Sequence, residues 1–79
     1  MSTTVAAPVD LPASADLSAS RWSGRLAALT RAGVPDDDAR LIRAREALAY
    51  WRCLRTIDAE RDLLAPSDRA ALQEALTMT

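Results

Sequence analysis

The sequence predicts an all-α fold: a small three-helix bundle with a long central helix and a flexible N-terminal tail. Three observations carry that expectation. Of the 79 residues, 17 are Ala and 11 are Leu, both strong helix formers, whereas the β-branched and aromatic residues that favour strands are scarce. Apolar side chains after the tail recur at helical rather than alternating spacing. Capping and breaking residues, namely Ser20, Gly33, Pro35, the Asp36 to Asp38 run and Pro66, stand where the periodic stretches begin and end.

Residues 1–19 form the expected tail. They contain Pro8 and Pro12, several Ser and Thr, two acids and no base, and they keep no helical or strand period. Two readings fit, a disordered leader or a short segment bound across a partner, with Val5, Val9, Leu11 and Leu17 as its only anchors. Residues 20–79 then make a single helical domain.

Ser20 is placed to cap a first helix running to about Ala32. Trp22, Leu26 and Leu29 follow at i, i+4, i+7 on one stripe, and Gly33 is placed to end the helix in the left-handed conformation. Gly24 inside it costs roughly 1 kcal/mol against Ala. Arg21, Arg25 and Arg31 make this the most basic element of the chain. Val34 and Pro35 break the chain, and Asp36, Asp37 and Asp38 open a second helix expected to reach about Leu63. Three acids at a helix start serve capping and the helix dipole. They lack the alternating oxygen ligands of a calcium loop, so no metal is assigned.

The second helix carries Ala44, Ala47, Leu48, Tyr50, Trp51, Leu54 and Ile57 over about half its circumference, wider than the roughly 100° stripe that one neighbour covers. It is therefore expected to touch two things, either the first and third helices or one of them and a second protein, with Arg45, Ala49, Arg52, Thr56 and Ala59 on a more solvated side. Pro66 suits the first position of a third helix through about Leu76, with Leu72, Ala75 and Leu76 as its apolar stripe. The connections at Gly33 to Pro35 and at Leu64 to Ala65 are short, so the two outer helices are expected to fold back antiparallel on the central one.

Composition excludes much chemistry. The chain has no His and no Lys, ten Arg against eleven acids for a net charge of −1, and one cysteine. Catalysis would fall to Cys53, Tyr50 or a carboxylate pair, none with a visible supporting group, so no enzyme and no cofactor are expected. Cys53, among Tyr50, Leu54 and Ile57, reads as a small buried hydrophobe. Gly24 and Gly33 cannot build a phosphate loop. No apolar run approaches a membrane span and no secretory signal is visible, which points to the cytoplasm and away from a membrane.

Some seventeen medium or large apolar side chains follow residue 20, and Ala adds little area. So small a core favours self-association or a partner. Trp, Tyr and Arg dominate interface hot spots, and Arg21, Trp22, Arg25, Tyr50, Trp51 and Arg52 are accordingly the candidate partner-binding residues. Tyr50 and Trp51 point about 100° apart, so burying one leaves the other near an edge. The alternative is that Trp22 and Trp51 pack together inside.

Trp22-Ser23-Gly24 is similar to the W-x-G turn of small secreted helical-hairpin proteins of actinobacteria. There the tripeptide joins two long helices, whereas here it opens a short one and no Tyr-x-x-x-acid signal follows, so that family is set aside. Residues 27–52, AALTRAGVPDDDARLIRAREALAYWR, and 63–76, LLAPSDRAALQEAL, resemble short helical proteins of actinobacteria and their phages. The matching positions are Leu29 to Arg31, Pro35 to Asp38, Arg43 to Leu48 and Pro66 to Leu76. The resemblance implies a phage or mobile-element accessory protein and no defined activity.

Two functional classes follow. The first is a non-enzymatic helical protein that binds another protein, as accessory subunit or as inhibitor or modulator, or that binds itself. The second is a nucleic-acid-binding regulator that sets Arg21, Arg25 and Arg31, joined by Arg40 and Arg43, against phosphates. Residues 21–45 carry a net charge of +3 and residues 46–79 a net charge of −2. No short helix has the polar composition of a DNA-recognition helix.

Overall fold

A computed structural model describes residues 11–78. Among them are three α-helices, α1 (Ala19–Arg31), α2 (Ala39–Glu60) and α3 (Pro66–Thr77), and no strand. Two short 3-10 turns complete the secondary structure. One, Ser14–Asp16, precedes α1, and the other, Arg61–Leu63, prolongs α2 so that the central rod ends at Leu63 as its periodicity predicts.

The helix ends explain themselves chemically. The cap of α1 is Ser18 rather than Ser20: its hydroxyl accepts the Arg21 N–H at 3.2 Å. Leu17, just ahead of that cap, packs on the cluster that contains Trp22, four positions into the helix, which fixes the angle at which the chain enters. At the other end Gly33 takes φ +73°. Its N–H reaches Thr30 O at 3.0 Å and the Val34 N–H reaches Leu29 O at 3.3 Å, so two of the last carbonyls of α1 are satisfied. Of the three consecutive aspartates only Asp38 caps α2, accepting from Arg40 N at 2.9 Å. Pro66 occupies the first turn of α3, where its missing N–H costs nothing.

The core is small and lies at one end of the molecule. Trp22 of α1 packs with Ala44 and Ala47 of α2, and Leu17, Leu26, Leu48 and Trp51 close round them. The two alanines are fully buried, and their small side chains let the indole of Trp22 approach the α2 backbone. Leu41, one turn earlier on the same stripe, is also buried. Among the described residues α2 packs on two things, but not on the pair expected. One is α1; the other is the segment around Ser14–Asp16, not the third helix. Residues 11–18, placed with the tail by sequence, are thus part of the folded body, whereas residues 1–10 lie outside the described residues.

The bundle is incomplete on its other side. The α3 backbone approaches neither α1 nor α2, and every side chain from Pro66 to Met78 is exposed. One hydrogen bond, from Arg69 Nη2 to Arg61 O at 2.7 Å, links α3 back across the junction. Leu64 and Ala65 are both extended, with ψ of 131° and 149°, and they carry α3 away instead of returning it. With this link the predicted fold-back of α3 onto α2 does not occur. The radius of gyration, 16.3 Å, against about 11 Å for a compact chain of this length, records the same departure.

Candidate functional site

The tightest polar feature is a single backbone carbonyl. Trp22 Nε1 of α1 and Trp51 Nε1 of α2 both donate to Ser14 O, each at 2.9 Å. Trp51 Nε1 also lies 3.1 Å from Leu17 O. A carbonyl oxygen has two lone pairs, and here two indoles from different helices use them. The 3-10 turn presenting that carbonyl is closed on itself, since Asp16 Oδ2 accepts from Ala13 N and Asp16 N donates to Ala13 O, both at 2.9 Å. Sequence reasoning missed this joint because a main-chain oxygen leaves no mark in the residue pattern.

The joint decides where the candidate partner-binding residues lie. Trp22 is 1% exposed and belongs to the core; its place in a contact surface is corrected to that of a buried anchor, because its ring fills the space over the two alanines. Trp51 is half-buried beside it, so the two tryptophans do pack in one core. Tyr50, at the edge of Trp51 with ring centroids 5.3 Å apart, stays 40% exposed. Arg21, Arg25 and Arg52 are exposed. The Arg25 guanidinium sits over the Trp22 ring, 5.6 Å from its centroid, which covers the indole from solvent.

Cys53 is exposed, contrary to its reading as a buried hydrophobe. The reason is that, among the described residues, no helix covers that side of α2. Its outer side carries Ile42, Ala49, Tyr50, Cys53 and Ile57, all exposed, within an arc of about 100° by helical geometry. Arg45 and Arg52 border the arc, and Glu46 lies within it. On α3, Leu72 and Leu76 are 51% and 78% exposed, with Ala75 between them. Ile42 and the α3 leucines were not singled out by sequence as surface groups. The clue was the excess width of the α2 apolar arc, which two intramolecular neighbours do not exhaust.

A second feature is an open hollow of about 380 Å³ between α1, α2 and the segment before α1. Pro12, Trp22 and Leu29 form its apolar floor and Arg25, Arg40 and Arg43 its rim. Two of these arginines are already engaged. Arg40 clasps Asp38 through Nε at 3.1 Å and Nη2 at 2.9 Å, and Arg43 lies 3.6 Å from Glu46. The hydrogen bonds from the Arg40 side chain and backbone hold the Asp38 carboxyl at about 2, well below its ordinary 3.8. Arg43 Nε is buried without a hydrogen-bond acceptor. Arg45 reaches Asp36 at 3.4 Å, and Arg61 pairs with Asp58.

Among the described residues no group of His, Cys, Asp and Glu is placed to hold a metal ion, and no helix is long and apolar enough to cross a membrane. No family model matches the chain, and no curated protein or solved structure matches it significantly.

Proposed function

We propose that this chain is a small, non-enzymatic helical protein that works by binding a protein, as an accessory subunit or as an inhibitor or modulator, in the cytoplasm and without a cofactor. The observation that supports the reading is α3: a 12-residue helix whose apolar residues Leu72, Ala75 and Leu76 meet neither α1 nor α2. An isolated helix of that length is marginal in water, so its order is expected to depend on a surface that accepts Leu72, Ala75 and Leu76. The outer side of α2, with Tyr50 as its aromatic group and Arg52 at its rim, is the companion surface, while Arg21 and Arg25 lie on the far side of the core.

Affinity capture from the source cell tests the reading, comparing the native chain with Leu72→Asp and Ile57→Asp. Both positions are exposed, so neither substitution disturbs the core. Loss of a specific captured protein by either variant is the expected result, and an identical set of captured proteins from all three chains rejects the surface.

The hollow rimmed by Arg25, Arg40 and Arg43 favours a second reading, contact with nucleic-acid phosphates. Asp38 and Glu46 already neutralise two of the three guanidinium groups, which leaves a weak field for a polyanion. A gel shift whose affinity falls steeply with salt would support this reading. Absence of a shift at low salt would end it.

A further inference from the structure

We propose that the partner is a second copy of this chain, with α3 of each molecule lying along the outer side of α2 of the other. This rests on the reading that the exposed apolar surface binds protein, and it names the occupant. Both halves of one helix-to-helix contact are present on one chain, and neither is covered among the described residues. The α2 side from Ile42 to Ile57 runs about 22 Å and the twelve residues of α3 about 18 Å, at 1.5 Å per residue, so one covers the other end to end. The extended Leu64 and Ala65 direct α3 away from its own α2, the geometry by which a segment is exchanged between protomers rather than closed on its own chain.

Charge agrees with this pairing. By helical geometry Asp68 and Arg69 flank the leucine stripe of α3 while Glu74 faces away, and Glu46 lies in the α2 arc with Arg45 and Arg52 beside it while Arg55 faces away, so an acid and an arginine on each helix find opposite charges on the other. Asp68 stands beside the leucine stripe of α3, and Arg52, which has no acidic partner among the described residues, stands beside the apolar arc of α2. A two-fold axis makes the contact twice. One short helix seated once on an unrelated protein covers little area, whereas two reciprocal seats double it towards the size of a stable interface.

Cys53 supplies the test, because it lies in the proposed seat and is the only cysteine of the chain. In Ala75→Cys the new thiol sits in the α3 stripe, and with α3 parallel to the partner's α2 and the two midpoints aligned it lies opposite Cys53. Under mild oxidation the full chain is expected to form a covalent dimer whose bridged peptide joins position 53 to position 75. The same pair in a band of single-chain mass would show that α3 closes on its own α2 and would overturn the proposal. Light scattering on the native chain is expected to give the mass of two chains, falling to one for Leu72→Asp. A native chain that stays at single mass, together with an Ala75→Cys chain that yields no 53–75 bridge, also overturns it. In that case capture from the cell that depends on Leu72 would leave the broader protein-binding reading standing, and capture indifferent to Leu72 would remove both.

Discussion

Helices α1 and α3 are nearly the same length, 13 and 12 residues, and each carries a stripe of three apolar residues, yet only one is built into the body. The difference is what their stripes can reach. Trp22 spans the gap to Ala44 and Ala47 and still has an N–H to offer Ser14 O, so one side chain ties α1 both to α2 and to the segment before it. Leu72 and Leu76 have no polar handle, and the extended Leu64–Ala65 link places them where α2 is not. Amphipathic pattern makes a helix eligible to pack; a side chain that bridges two other segments makes it do so.

The comparison breaks most decisively at Trp22. Trp22→Ala is expected to destabilise the chain by about 3–5 kcal/mol, read as a fall in the denaturant midpoint. Leu72→Ala, measured on single chains at high dilution, is expected to stay within about 0.5 kcal/mol of native. Equal losses at the two positions would mean that α3 packs on its own chain.

Trp51→Phe comes next, since it keeps a ring and removes the N–H shared between Ser14 O and Leu17 O. A loss of about 1 kcal/mol is expected, with faster amide exchange through residues 11–17 and no change in α3. Gly24→Ala acts in the opposite direction. A Cβ there meets nothing within 4 Å, so the substitution should stabilise α1 by about 0.5–1 kcal/mol. Thermal melts of the variant check the sign.

The smallest expected effect is an acid response at the start of α2. The Asp38 carboxyl titrates lower in the folded chain, about 2, than its ordinary 3.8. Its contribution is therefore complete above about pH 4 and is lost as pH falls from there towards 2. Helicity followed by circular dichroism should decline through that window, and Asp38→Asn, which keeps a capping oxygen but cannot titrate, should flatten that part of the curve.

Much of the fold was legible because it depends on neighbours in sequence. Gly33 at the end of α1, Pro66 at the start of α3 and an acid at the cap of α2 act within a turn or two of where they stand. Most of the core was legible as well, since Trp22, Leu26, Ala44, Ala47, Leu48 and Trp51 fall on their helical stripes. Ser18 rather than Ser20 caps the first helix because Leu17 ahead of it packs with the buried Trp22, a contact that the residue pattern does not show. The segment from Leu11 to Ser18 was opaque: the contact from Ser14 to Trp51 spans 37 residues and runs through a main-chain oxygen. The outer surface was half legible. Tyr50 and Arg52 were marked from their residue types, whereas Cys53 and Ile57 were assigned inward because α3 was expected above them.

Both indoles meet at Ser14, and α3 contains no aromatic residue, so the optical properties of the chain are partitioned. Intrinsic emission reports only whether the joint at the amino-terminal end is shut and is blind to the last dozen residues, while far-ultraviolet ellipticity counts turns in all three rods. Warming a dilute sample should therefore give two curves that do not superimpose, the ellipticity starting to fall while the emission is still that of the closed joint.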